Sequence, residues 1–173
     1  MSTDITEQQT GSSEDDHISL HPLCEEDFPW LLLWMTKETN SSLSLLLQSS
    51  RSSTEITIIT GAINNHERVS MLTLYAAAFT RLKANYILQS GEYSIQQFQI
   101  NPLLFNKPQV LLNLLNTYIS WIFTTIRAQK IFWEINRFDQ SNHQLALKAG
   151  FQLSAFQGDK SALLYECAGG SHN

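Results

Sequence analysis

The stretch from Lys107 to Arg127 constrains the fold more than any other part of the chain. Leu111, Leu115, Tyr118, Ile122 and Ile126 recur at helical spacing, with Leu114 and Ile119 beside them. Asn113, Asn116, Ser120 and Thr124 make the opposite, polar face. Pro108 stands at the first helical position, where its missing N–H costs nothing and its fixed φ suits the turn. A strand pattern precedes this helix at Glu92–Ile100 (EYSIQQFQI), closed by Asn101-Pro102, and another follows at Ile131–Ile135 (IFWEI). Strand, helix, strand at this spacing is a crossover unit, so the spacing predicts two parallel strands with the helix packed on their sheet.

The remaining elements extend that sheet. Ile18–Leu23 alternates and reads as a short strand, with Pro22 near an edge or strand end. Glu25, Glu26 and Asp27 open a helix to about Lys37, acidic in its first turn where the dipole favours them. Ser41–Ser50 reads as a second short helix, and Glu55–Ile63 and Val69–Ala77 as strands joined by a turn at Asn64-Asn-His-Glu. Ala78–Gln89 fits a loop, a strand extension or a helical turn. Asp139 or Ser141 caps a helix that ends at Gly150, a good residue for the position after a helix. Phe151–Phe156 and Ala162–Cys167 are closing strands turned at Gly158-Asp159. The expected class is α/β of the α+β kind: a mixed, mostly antiparallel sheet of six to seven strands with about four helices on both faces.

The folded unit spans 17–167, flanked by a disordered acidic tail over 1–16 and a second tail over 168–173. The 173 residues suit one domain, and 43% apolar content suffices for its core. Eleven basic against sixteen acidic side chains give a net charge of −5, which argues against nucleic acid as a partner. The longest unbroken apolar run, Trp30–Met35, is six residues against the ~20 of a membrane span. No basic segment leads into an apolar stretch at the N-terminus, so a cytoplasmic location is expected. Cys24 and Cys167 are too few for a disulfide scaffold, and with the five histidines they show no metal-ligand spacing, so no metal is expected. None of the seven glycines lies between Gly91 and Gly150, which excludes a P-loop or a dinucleotide fingerprint from the middle of the chain.

Two local signatures, set in this element order, resemble the GCN5-related N-acetyltransferase (GNAT) family. Ile18-Ser-Leu-His-Pro-Leu-Cys-Glu-Glu-Asp-Phe28 is similar to the family's opening strand, in which L-R-P-L-x-x-E-D leads into the first helix. Ile131-Phe-Trp-Glu-Ile135, then Asp139, then Leu145-Ala-Leu-Lys-Ala-Gly-Phe151 is similar to its later strand, asparagine and K-x-G-F ending. The resemblance spans about residues 18–167 and implies acetyl-CoA, or another acyl-CoA, as co-substrate. It departs from the family at the pyrophosphate loop, Q/R-x-x-G-x-G/A, because Asn106-Lys-Pro-Gln-Val-Leu111 has no glycine and Pro108 lacks an N–H. The family's strand glutamate, seven residues before the loop's proline, falls at Ile95, and its acid tyrosine at Ala146. An alanine there also occurs in the branch resembling ribosomal-protein N-terminal acetyltransferases.

The resemblance implies that Phe98 and Ile100 flank the acyl-CoA arm. It further implies that Lys107, Gln109, Val110, Leu111 and Asn142 bind the co-substrate. Acyl transfer to an amine requires a proton acceptor, a donor to the thioester oxygen and close positioning. Phe98–Asn101 would provide a backbone N–H as that donor. Glu134, in the middle of a strand, and Asp139, at the asparagine position, are the candidate catalytic carboxylates; Glu92 and His143 are weaker candidates. His21 reads as a structural histidine. Trp30 and Trp34, four apart on the first helix, are the candidate substrate contacts. The expected activity is N-acyl transfer from acyl-CoA to a primary amine on a small molecule or a protein, with a homodimer or a protein partner as further expectations. The alternatives are a catalytically silent module of this fold and an acyltransferase that draws on a carrier-protein-bound acyl group.

Overall fold

The computed structural model describes residues 17–35, 37–64, 67–154 and 160–170, with side chains throughout except at 37–42. The acidic stretch 1–16, the turn expected at Gly158-Asp159, His66 and residues 171–173 lie outside the described residues.

Among the described residues, seven strands form one sheet: β1 Ile18–Pro22, β2 Ile56–Ile63, β3 Glu67–Ala76, β4 Glu92–Ile100, β5 Lys130–Asn136, β6 Gln152–Leu153 and β7 Ala162–Ala168. Their order across the sheet is β1-β2-β3-β4-β5-β7-β6. All neighbours pair antiparallel except β4 and β5, which are parallel as the crossover spacing predicts. The helices are α1 Phe28–Leu31, α2 Lys37–Ser52, α3 Pro108–Trp121 and α4 Gln140–Lys148. The expected class and strand count therefore hold, with β7 running one residue past Cys167 to Ala168. No helix among the described residues is long and apolar enough to cross a membrane.

The alternation of β-strand side chains divides the core between two faces. Ile59, Leu72, Leu74, Ile95, Ile131, Trp133 and Ile135 face α3 and α4. Ile58 and Met71 face α1 and α2, which bury Leu31, Met35, Leu43 and Leu47 against them. Along α3 and the turn that follows it, Leu115, Tyr118 and Ile122 are fully buried, each contributing about 1.5–3 kcal/mol by leaving water. The helix lies so close to β2 that a Cβ on Gly61 would stand 2.4 Å from Ser70 Oγ and 2.9 Å from Tyr118 Oη. Glycine at 61 lets those two hydroxyls meet at 2.8 Å. After Trp121 the helix widens into a π turn, Ile122–Ile126, and stops at Arg127 with φ 60°.

Two local expectations are corrected, and one left open is resolved. The helix expected over Glu25–Lys37 is broken into a 3-10 turn at Glu25–Asp27, the four-residue α1 and turns through Met35. A continuous apolar run cannot keep all its residues on one helical face, and here Leu31 and Met35 are buried while Leu32 and Leu33 are exposed. Asp27 is fully buried instead of resting at the solvated helix start. It accepts from the Cys24 backbone N–H (2.9 Å), Thr60 Oγ1 (3.3 Å) and Arg68 Nε (2.5 Å). Burial alone would push its carboxyl up; the hydrogen bonds from Arg68 and Cys24 outweigh that and hold it below the usual carboxylate range. Finally, Ala78–Gln89 resolves into two 3-10 turns, Ala77–Phe79 and Arg81–Ala84, and an extended return. This excursion packs Leu82, Tyr86 and Leu88 on Phe132 and Leu164, on the sheet face opposite α3.

Candidate functional site

The sheet opens at its one parallel junction. β4 and β5 pair from Glu92/Lys130 to Ile95/Trp133 and no further. The register of β3 against β4 shifts at the same place, where Thr73 faces Gln97 and Leu74 faces Ile95, leaving Gln96 as an extra residue. Such a bulge bends its strand and strengthens the local twist. Beyond it, β4 continues to Ile100 paired with β3 alone, so its other edge faces a gap.

That gap is a cleft of about 730 Å³. Phe98, Gln99, Ile100 and Pro102 form one wall; Asp139, Ser141, Asn142, Gln144, Leu145 and Lys148 of the α4 region form the other. Phe105, Pro108 and Leu111 close the α3 end, and Trp34 and Met35 close the end below α1. Phe98 is held edge-on between Tyr118 (5.8 Å between centroids) and Trp133 (5.9 Å). Trp34 is anchored by donating Nε1–H to the Arg68 carbonyl at 2.9 Å.

Two helix starts border this cleft. At α3, Lys107 occupies the cap position and no side chain caps the helix. Pro108 has no N–H, and the Leu111 N–H is spent on the Lys107 carbonyl at 3.1 Å. Among the described residues, the backbone donors left without a partner in this turn are those of Gln109 and Val110. The Gln109 side chain turns along the helix, donating to Asn113 Oδ1 at 3.0 Å. At α4, Asp139 caps the helix, accepting from the Asn142 backbone N–H (3.1 Å) and Nδ2 (2.7 Å).

Of the residues singled out in the sequence, Phe98, Ile100, Leu111, Asp139, Asn142 and Trp34 line this cleft together. Val110 is half-buried against the core, and Lys107 and Gln109 are exposed at the helix start beside it. Trp30 is 40% exposed on α1 and does not reach the lining. Glu134 stands elsewhere. Alternation along β5 sends Trp133 toward α3 and Phe132 toward the 77–89 excursion, and Glu134 meets Arg81 of that excursion in a two-pronged ion pair at 2.5 and 3.2 Å. Glu92 is not simply exposed: it accepts from the Gln89 N–H at 2.8 Å and lies 4.0 Å from Lys130 Nζ. His143 forms no surface pair with Asp139; it is buried, with Tyr165 Oη 2.9 Å from Nδ1 and the Arg137 carbonyl 3.2 Å from Nε2. His21 meets Thr60 Oγ1 at 3.3 Å, and burial lowers its pKa.

The sequence reading missed Met35, Phe105, Lys148 and the side chain of Gln99 on the cleft walls. Gln99 pairs with Met71 and so shares its sheet face, the one covered by α1 and α2. Strand alternation from Phe98 carries that signal, but the bulge at Gln96 that orients both is invisible in the pattern. Among the described residues, no group of three His, Cys, Asp or Glu side chains is placed to hold a metal.

No protein-family model matches the chain, and no curated protein matches its sequence. Solved structures do match. An uncharacterized protein (bh2621) from Bacillus halodurans aligns with a TM-score of 0.70 and 21% identity, over 87% of this chain and 83% of that one. AAC(6')-Ib in complex with ribostamycin and coenzyme A aligns with a TM-score of 0.67 and 14% identity, over 88% and 94%. The Campylobacter jejuni N-acetyltransferase PseH in complex with acetyl coenzyme A aligns with a TM-score of 0.64 and 10% identity, over 88% and 99%.

Proposed function

We propose that this chain, which has the GNAT fold, is an acyl-CoA-dependent N-acyltransferase acting on an amine in the cleft between β4 and β5. The observation that carries the reading is the splay itself: a strand edge that leaves its neighbour at Ile95 and borders a deep cleft beside an uncapped helix start. A bound acyl-CoA would supply the thioester: the amine nitrogen bonds to the acyl carbon, the C–S bond breaks, and CoA leaves, taking up a proton as the free thiol. The chain's part is to hold the reactants and to handle charge. The Gln109 and Val110 N–H groups, with the partial positive charge of the α3 start, suit a phosphate, and Lys107 adds a full charge beside them. The open edge of β4 around Phe98–Ile100 offers backbone N–H to the thioester oxygen. Phe98 and Ile100 flank the acyl-CoA arm, Asn142 bounds it from α4, and Trp34 meets the acceptor.

The amine must lose a proton. Asp139 is the one carboxylate on the cleft wall among the described residues, and in this reading it takes the proton directly or through water. Glu134, held by Arg81 off the cleft, has no part in it. Neither cysteine forms a disulfide among the described residues, Cys167 being buried and Cys24 half-buried, which suits a reducing cytoplasm. Burial and acidic neighbours push the Cys24 thiol up to about 11, so it offers no thiolate for acyl relay. Calorimetric titration with acetyl-CoA tests the proposal. Micromolar binding supports it; no heat at millimolar acetyl-CoA would overturn it in favour of a catalytically silent module.

A further inference from the structure

The charge on the cleft wall bears on which amine enters. Among the described residues it carries one carboxylate, Asp139, and one ammonium, Lys148. Asp139 already accepts two hydrogen bonds from Asn142. An acceptor with several ammonium groups would find, among the described residues, a carboxylate for at most one of them and repulsion from Lys148 for the rest, in a cleft where partial desolvation magnifies both effects. Apolar surface is plentiful by contrast. Trp34 and Met35 lie at the α1 end, and Phe105, 63% exposed, presents its ring at the α3 end.

Gln99 adds a second, independent observation. It forms part of the wall on the α1–α2 face of the sheet, the face that also carries Met35. Its Oε1 is shielded from bulk water yet meets no hydrogen-bond donor among the described residues. A buried acceptor without a partner costs free energy in the resting protein, and such groups call for an explanation. The terminal torsion of a glutamine is broad, so the amide turns toward the cleft at little cost. The partner it lacks is a hydrogen-bond donor, which the N–H of an entering amine can supply.

Resting on the acyl-transfer reading for the chemistry, we infer that the acceptor is a monoamine on an apolar or aromatic body. Its N–H meets Gln99 Oε1 and its body packs on Trp34 and Met35. Polycationic amines are poor acceptors here.

Direct binding of two probes to the full chain, 2-phenylethylamine and spermidine, tests this by calorimetry without any acyl donor. The expected result is tighter binding of 2-phenylethylamine. Gln99→Leu should weaken that binding about tenfold, the size of one lost hydrogen bond to a charged group. It should also leave the melting temperature equal or higher, since it removes an orphaned acceptor. Gln99→Glu, which adds a second carboxylate, should raise spermidine affinity. Tighter binding of spermidine by the wild type, absent binding of 2-phenylethylamine, or equal affinity in Gln99→Leu would each overturn the inference. A parallel acetyl-CoA titration keeps the two proposals apart. If acetyl-CoA binds while the amine pattern fails, only the acceptor assignment falls; if the amine pattern holds while acetyl-CoA does not bind, only the acyl-transfer reading falls.

Discussion

The two helix starts that border the cleft solve the same problem in opposite ways. Every helix begins with backbone donors that its own turns cannot satisfy. α4 satisfies its start internally, through the Asp139 carboxylate and Asn142. α3 does not: Lys107 gives no side-chain cap, and Gln109 and Val110 keep their N–H groups. One start carries its own negative charge; the other, in the proposed function, receives an anion from outside. The contrast teaches that a helix start can keep unspent backbone donors without any glycine, and donors of that kind are what a phosphate-facing turn requires. Glycine widens the approach, and its absence from Asn106–Leu111 narrows the approach without removing the donors.

The largest effect expected on this comparison is at Asp139, where cap and base make different demands. Asparagine caps a helix about as well as aspartate does, but it cannot take a proton. Asp139→Asn should therefore leave the melting temperature unchanged and reduce turnover of an accepted amine by about 10²–10⁴-fold, the usual worth of a general base. Full turnover in this variant would reduce Asp139 to a cap.

Next in size is Leu115→Ala. With no side-chain cap, α3 owes its position to its buried stripe, and Leu115 is fully buried in it. Truncation should cost about 2–5 kcal/mol in denaturant unfolding. A midpoint within experimental error of the wild type would mean that α3 is held by something other than that stripe.

How much of this was legible beforehand follows from which signals are periodic. The α3 stripe, the parallel pair around it and the Gly150 stop are carried by spacing, and all three stand in the structure, Gly150 at φ 90°. The first helix misled because Trp30–Met35 is apolar on every side, so it carries no period to mark where the helix ends. Glu134 was placed correctly within a strand, but which side of the sheet the cleft occupies is set by the Gln96 bulge and the 77–89 excursion, both products of tertiary packing. Asp27 shows the same limit: its sequence neighbours suggest a helix start, while Arg68, forty-one positions away, makes it a buried anchor. Leu111, which the resemblance puts among the co-substrate contacts, turns its N–H back to the Lys107 carbonyl, a detail of the first turn that sequence does not carry, and leaves those of Gln109 and Val110.

Lys107 comes third. If the α3 start receives phosphate, Lys107→Glu replaces an attractive charge with a repulsive one at an exposed position. One exposed charge is worth about 1 kcal/mol, so removing its attraction costs somewhat under tenfold in acetyl-CoA affinity, with the reversal adding to that at low salt and fading at high salt. A salt-independent loss would assign the effect to the fold.

The smallest effect, and the one that bears most directly on the comparison, is at Gln109. Its side chain is exposed and bonded to Asn113, away from the turn, while its backbone N–H is one of the two that matter. Gln109→Gly keeps that N–H and clears the approach, so acetyl-CoA affinity should be equal or higher even though glycine near a helix start costs some stability. Gln109→Pro makes the opposite change: it removes the N–H, and proline is tolerated in the first turn of a helix because no internal bond is lost there. Affinity should then fall with little change in melting temperature. If both variants bind acetyl-CoA as the wild type does, the open start of α3 is not where the phosphates sit, and the contrast with α4 is one of stability alone.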